Sequence, residues 1–177
     1  MHLFLALLLS AHAGSLAGVT LPDSSTANGQ PVNLNGLGLR EKFYLDIYVG
    51  ALYLTHPTHD AAAAIQADEA KKVVLHFIYS KVTSAQMAEA FNESWAKNPA
   101  SAGLKAQIDQ FMGWLATDYV AGDEMVFEYA PGVGTTVKVK GVTKGTIAGA
   151  DFMRMLWNVW LGPNPPTADL KKGMIGA

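Results

Sequence analysis

The first residue that could bind a ligand is Arg40, which follows the glycine-rich stretch 36–39. A guanidinium presents a planar fork of donors that can hold a carboxylate or an enolate oxygen in bidentate fashion. The stretch predicts a turn and not a dinucleotide-binding loop, since Glu41 stands where the third glycine of G-x-G-x-x-G belongs. On local grounds alone, an arginine after such a turn is more often a surface residue than a buried anchor.

Other residues that could bind a metal or take part in catalysis give weaker signals. His56, His59 and Asp60 are metal-ligand types, but their loop contains proline and supplies no further fixed ligand, which favours a solvated loop. His76 lies in an apolar strand pattern, which is more typical of a core histidine than of a catalytic base. The sequence has no G-x-S-x-G, H-E-x-x-H or P-loop motif and no cysteine, so thiolate nucleophiles and zinc–thiolate sites are excluded. We therefore predict neither a metal nor a cofactor.

The composition is that of one globular domain. The chain has 177 residues, of which 50% are hydrophobic and 16% are charged, a balance that excludes a disordered protein. The formal net charge is −2, and Lys and Arg form no long run. A nucleic-acid partner is therefore not indicated.

The N-terminus resembles a secretory signal. A short apolar run, Phe4–Leu9, is followed by Ala11-His12-Ala13 and Ser15-Leu16-Ala17, which both suit an A-x-A-like cleavage site. The run is shorter than the roughly 20 residues that span a bilayer. We predict a signal peptide at residues 1–17 and a domain at 18–177 that is periplasmic or secreted. The alternative is a buried N-terminal strand or helix, because Met1-His2 lacks the usual positive charge.

Alternating hydrophobicity predicts several strands before and after a helical region. The clearest strand pattern runs from Lys42 to Leu54, with Phe43, Leu45, Ile47 and Val49 on one face. A shorter apolar strand is predicted at 73–79 and a β-hairpin at 125–142. Strands are also expected at 18–22 and 32–34, joined by a polar turn at 23–31.

Four helices are predicted from caps and from apolar residues at helical spacing. Thr83 and Gln86 form a capping box before a stripe that contains Met87, Phe91 and Ser94. A second stripe follows at 104–115, a third helix at 151–161 and a short one after Thr167. Strands followed by helices, twice over, predict an α+β fold with helices layered on one face of an antiparallel β-sheet. The preferred interpretation is that the apolar stripes form the hydrophobic core, and the alternative is that they line a pocket between the helices and the sheet.

The ordered set of motifs resembles the chalcone-isomerase-fold proteins, and most of all their bacterial exported branch. The resemblance covers about residue 18 to the C-terminus and begins with Asn35–Arg40 and Ile47–Leu54. It continues through the helix that opens at Ser84, the turn Pro131–Thr135 and the helix Asp151–Gly162. It implies the chalcone isomerase fold, an open-faced β-sandwich with a ligand cleft between sheet and helices. It also implies either isomerase activity or, in related members, binding of fatty acids or an auxiliary role.

Residue by residue, the resemblance assigns Arg40 to the family arginine that contacts the anionic oxygen of the ligand. The enzymes carry a threonine where this sequence has Tyr48, a tyrosine where it has Met87, and an asparagine nearest to Ser94. Met87 has no proton to give, so most of the polar set that positions a chalcone is absent. We predict that the ligand-binding residues are Arg40, Tyr48, Met87, Phe91 and Ser94, with no catalytic residue for chalcones.

Three hypotheses follow for the function. The first is a binding protein for an apolar molecule with an acidic head, such as a fatty acid, without a membrane span and with no protein partner indicated. The second is an intramolecular lyase or isomerase that acts on an enone-like substrate, with Arg40 and Tyr48 polarising one carbonyl oxygen. The third is an accessory or scaffold module whose cleft is filled by its own side chains and which exposes an apolar patch elsewhere.

Overall fold

The computed structural model describes residues 13–177, and its centre is a seven-stranded antiparallel sheet in which strand order follows the chain. Two further strands, β1 and β2, form a separate hairpin. The strands are β1 Ala13–Leu16, β2 Val19–Pro22, β3 Ser24–Ala27, β4 Gln30–Lys42, β5 Leu45–Leu54, β6 Lys71–Phe77, β7 Glu124–Ala130, β8 Gly134–Val139 and β9 Val142–Ile147.

Five α-helices and one short 3-10 helix complete the described chain. Most of them lie in the connection between β6 and β7 or after β9. The helices are α1 Ala61–Gln66, α2 Ser84–Ala96, α3 Lys105–Trp114, α4 Ala150–Leu161 and α5 Ala168–Ile175, and the 3-10 helix is Pro99–Leu104. Within residues 13–177, none of the helices combines the length and the apolar character needed to cross a bilayer.

The two faces of the sheet bury different cores. Tyr48, Leu52 and Leu75 belong to the large core that the helices cover, whereas Val49 and Tyr53 face a smaller core that includes Val19 and Leu21 of the β1–β2 hairpin. Alternate residues of one strand point to opposite faces, which explains this division. The predicted α+β fold with helices on one face of an antiparallel sheet is confirmed.

The turn predicted at the glycine-rich stretch 36–39 is wrong, because β4 continues through it, with a register irregularity at Asn35 in its pairing with β5. A Cβ at Gly36 would lie 2.2 Å from the carbonyl oxygen of Gly173, and one at Gly38 would lie 2.1 Å from that of Leu170. The two glycines therefore allow the backbone of α5 to rest directly on the strand. Gly36 and Gly38, whose sequence predicts a turn, thus form the surface on which α5 packs.

The single strand predicted from Lys42 to Leu54 is also wrong at its beginning. Phe43 and Tyr44 form a two-residue turn between β4 and β5, with φ of 51° and 64°. Aromatic residues favour strands and disfavour this left-handed region, so the sequence pattern concealed the turn. The polar turn predicted at 23–31 likewise contains a short strand, β3.

The helix predictions are confirmed with small changes of boundary. Thr83 caps α2 through a capping box with Gln86, and Thr167 caps α5 by accepting a hydrogen bond from the backbone of Leu170. The proposed signal peptide lies mostly outside the described residues. Its last part, residues 13–17, forms β1 and the start of the turn to β2.

Candidate functional site

A cavity of about 350 Å³ lies beside Arg40, at the end of the sheet where β4 meets β5. One wall is strand, the opposite wall is α2, and the third side is the end of α4 with the loop 164–166 that leads to α5. Ligand pockets in proteins begin at roughly 300 Å³, so this volume is suited to a small molecule. All five sequence-predicted site residues line it: Arg40, Tyr48, Met87, Phe91 and Ser94.

Arg40 reaches the cavity because of the alternation along β4. Gly36, Gly38 and Arg40 share the face that α5 and the helices cover, whereas Leu37 and Leu39 pack on the opposite face. Arg40 is half-buried as a whole residue, and its guanidinium donates one hydrogen bond from Nη1 to the backbone oxygen of Glu41. A guanidinium has five N–H donors, so this bond uses a small part of its capacity.

Tyr48 stands directly opposite Arg40 in the β4–β5 ladder. The side chain is buried, and its ring meets that of Phe77 edge-on at 5.8 Å between centroids. Burial raises the pKa of the Tyr48 hydroxyl to about 12, against the opposing effects of the Trp160 side chain and the charge of Arg40. The hydroxyl therefore keeps its proton at neutral pH and can donate a hydrogen bond to an anion.

The α2 wall presents three of the predicted residues on one helical face. Met87, Phe91 and Ser94 are four and three positions apart, the spacing that places side chains one above another. Met87 and Phe91 are buried, while Ser94 is half-buried near the rim. The wall is therefore apolar in depth and polar only at its edge.

The space between helices and sheet is partly filled by the protein itself. Phe91 packs against Trp95, Phe111 and Trp160 with centroid distances of 5.5, 5.2 and 6.3 Å, and Phe127 stacks on Trp160 at 5.5 Å. This aromatic cluster occupies the interior, and the open volume begins beside it, next to Arg40 and Tyr48. The site can therefore hold a ligand that extends from the arginine toward the rim.

Several lining residues were not foreseen from the sequence. Trp160 of α4 and the segment 164–166 close one side of the cavity, and Phe43 reaches its mouth from the β4–β5 turn. The rim also carries charges of both signs: Lys42, Lys81, Lys97, Glu89 and Glu93. The Pro-rich sequence after Gly162 signalled the end of a helix, but no local pattern indicated that this loop borders a cavity.

The histidines considered from the sequence take other roles. His56 pairs with Glu69 at 2.8 Å, and His59 lies 2.9 Å from the backbone oxygen of Ile175. Asp60 caps α1. His76 is in the central strand of the sheet, half-buried on its outer face, and pairs with Glu124 at 2.8 Å. Among residues 13–177, no three His, Asp or Glu side chains form a group that could hold a metal ion.

A second, more open depression of about 410 Å³ lies between α4 and the 3-10 helix. It contains none of the five predicted residues, and the charged pair on its wall, Arg154 and Asp151, is joined at 3.2 Å. The cavity beside Arg40 combines an apolar wall with a cation and a neutral hydroxyl. It is therefore the better candidate for a binding site.

The curled antiparallel sheet with a helix-covered cleft defines an α+β protein of the open-faced sandwich class. The sequence model of the chalcone isomerase-like family matches residues 13–176, and the chain belongs to this family. The resemblance inferred from the motifs is thus confirmed. A search of curated proteins by sequence gave no significant match.

Among solved structures, the fold is similar to a fatty-acid binding protein of Arabidopsis thaliana, AtFAP1. The TM-score is 0.74 at 16% sequence identity, and the superposition covers 93% of this chain and 96% of the plant protein. At this level of identity the likeness establishes the fold.

Proposed function

We propose that this protein binds an amphipathic molecule with an acidic head group, of the fatty-acid type, in the cavity beside Arg40. The observation that carries the proposal is that Arg40 and the buried Tyr48 stand opposite each other in the β4–β5 ladder and both line the cavity, next to the apolar wall of α2. Arg40 would hold the carboxylate, and Tyr48 would donate a further hydrogen bond to it. Met87 and Phe91 would cover the chain, with Ser94 at the rim.

The fold neighbour supports this proposal, since a protein of the same architecture is described as a fatty-acid binding protein. The walls support it as well. A thioether and a phenyl ring can bury methylene groups at about 0.8 kcal/mol each, but they cannot position a proton. We therefore propose binding without chalcone turnover. An enone isomerase would need a proton-handling group at the position of Met87, and a thioether cannot serve as one.

Displacement of a fluorescent fatty-acid probe tests the proposal. Unlabelled fatty acids should displace the probe, and their methyl esters should do so much less well, because esterification removes the charge that Arg40 holds. Arg40→Gln should weaken binding of the acid about tenfold or more, as expected when a hydrogen bond to a charged group worth about 1.5–3 kcal/mol is lost. Binding of the ester should change little.

The matched control is Arg154→Gln, which alters an arginine outside the cavity that pairs with Asp151. It should bind the acid as the wild type does. Equal affinity of Arg40→Gln and wild type for the acid would refute the anchoring role. Failure of any fatty acid to displace the probe, together with no bound lipid in an extract of natively purified protein, would refute the ligand class.

Export remains part of the proposal, and it rests on the apolar run and the two small-residue sites before residue 18. Cell fractionation with intact-mass measurement tests it. A soluble extracytoplasmic chain that has lost its first 13 or 17 residues supports export, and a full-length cytoplasmic chain contradicts it. Cleavage after Ala13 would leave most of β1 in its hairpin, whereas cleavage after Ala17 would remove the strand.

A further inference from the structure

Within residues 13–177, four hairpins are joined by two-residue turns with positive φ at both positions, the geometry of type I′ turns. Three of these turns have the expected glycine at the second position: Ala17-Gly18, Asn28-Gly29 and Lys140-Gly141. The fourth, between β4 and β5, is Phe43-Tyr44. The same backbone is thus built with glycine three times and with two aromatic residues once.

This exception costs stability, because a side chain in the left-handed region crowds the following carbonyl group. Little packing within the fold offsets the cost. The side chain of Phe43 is 81% exposed and that of Tyr44 is 100% exposed, and the next residue, Leu45, is 44% exposed. Strain that brings so little contact within the fold points to a role for these side chains outside it.

The position of the turn indicates what that role is. Phe43 and Leu45 line the mouth of the cavity, so a surface that the turn enters lies directly at the cavity entrance. The ammonium group of Lys42 lies 5.7 Å from the centre of the Phe43 ring. A phenyl ring, a phenol and a snorkelling lysine are the side chains that occupy the boundary between lipid tails and headgroups.

The charges around the turn select neither zwitterionic nor anionic lipid headgroups. Arg40 and Lys42 are balanced within the hairpin by Glu41 and Asp46. At the rim, Lys81 is paired with Asp118 at 2.9 Å, and Lys97 is accompanied by Glu89 and Glu93. The hairpin therefore presents no net charge to a headgroup layer, and its attachment must come from the apolar side chains.

We propose that the Phe43-Tyr44 turn inserts into the interface of a phospholipid bilayer and places the mouth of the cavity against the membrane. The docking goes beyond the proposed ligand binding and does not depend on it. In combination, the two allow an amphipathic molecule to pass between bilayer and cavity with its polar head at interface depth.

Flotation with phosphatidylcholine vesicles that contain no free fatty acid tests the docking. The wild-type chain should float with the vesicles, and adding anionic lipid or salt should change the bound fraction little. Tyr44→Gly should lower the partition coefficient about fivefold or more, and Phe43→Asn with Tyr44→Gly should lower it more than tenfold. Val133→Ser removes a half-exposed apolar side chain from the turn at the opposite end of the sheet, and it should float as the wild type does.

The melting temperature provides the decisive companion measurement. Tyr44→Gly restores the X-Gly pattern of the other turns and should raise the melting temperature by about 2–4 °C while docking is lost. A gain in stability together with a loss of docking separates a surface role from a folding role. In a further variant, Tyr44→Trp should become sensitive to lipid-borne bromine quenchers beyond the signal of the native tryptophans.

The proposal is overturned if the wild type fails to float, if the Val133→Ser control loses as much binding as Tyr44→Gly, or if Tyr44→Gly lowers the melting temperature. Because the vesicles hold no fatty acid, failure of the docking and failure of the ligand assay are distinguishable. Tyr44 does not line the cavity, so Tyr44→Gly should retain probe affinity in solution.

Discussion

Gly38→Ala should destabilise the protein although alanine is the better residue for an ordinary strand. A Cβ at this position would lie 2.1 Å from the carbonyl oxygen of Leu170 and 2.9 Å from its Cα and carbonyl carbon. Ordinary contact begins at 3.4 Å, so the backbone of α5 would have to move by about 1.3 Å. Such a shift loosens Leu170 and Met174, which are both fully buried.

Two free-energy terms oppose each other in this variant. Reduced freedom of the unfolded chain favours alanine by about 0.4–1 kcal/mol. Overpacking typically costs 1–3 kcal/mol, and here the obstacle is backbone that cannot rotate away. The net loss should be about 2 kcal/mol or more, which corresponds to a fall of roughly 4–8 °C in melting temperature for a domain of this size.

Thermal and urea unfolding followed by circular dichroism measure the effect, and Gly113→Ala is the matched control. Gly113 lies in α3, and a Cβ there would meet nothing within 4 Å. This variant should gain about 0.5–1 kcal/mol. Equal or higher stability of Gly38→Ala would refute the close approach of α5 to β4. A loss of stability in Gly113→Ala would show that the free space around a glycine Cα does not predict the effect of adding a methyl group.

Two further predictions concern alkaline pH and can be read from the free energy of unfolding. Burial lowers the pKa of Lys71 to about 8. Between pH 8 and the ordinary pKa of lysine, the unfolded state therefore binds more protons than the folded state, and the free energy of unfolding should rise by roughly 1–3 kcal/mol. Lys71→Met should abolish this rise. Burial raises the pKa values of Tyr48 and Tyr53 to about 12, so the folded state retains their protons longer than the unfolded state does, and stability should fall from pH 10 to 12. Tyr48→Phe should make that fall shallower, and an unchanged slope would contradict the assignment.

Helices were predictable because their signals are local. The Thr83 capping box and the Thr167 cap depend on residues within one turn, and the stripes on α2 and α4 repeat at fixed spacing. Met87 and Phe91 belong to such a stripe, but their place in the wall of a cleft was predicted from the family resemblance and not from the stripe itself. Whether these residues bind a ligand remains a prediction.

The misread segments are those where a distant element decides the local structure. Gly36 and Gly38 resemble a turn until α5, more than 130 residues later, is seen to occupy the space above them. Phe43 and Tyr44 resemble a strand, since nothing in their own chemistry favours left-handed backbone. Trp160 belongs to a stripe that indicated core, and its place beside Tyr48 depends on how α4 crosses the sheet.

The order of strands in the sheet has a consequence for how this binding site can change. Four of the six ladders join strands linked by two or three residues, so little loop entropy is spent in closing them. The β6–β7 ladder instead encloses residues 78–123, which contain α2 and the adjoining helices. The α2 wall of the cavity is thus an insertion within one connection of the meander, whose other long connection, residues 55–70, carries α1. Its sequence can diverge, or be exchanged in the laboratory, while the strands that hold Arg40 and Tyr48 stay in register.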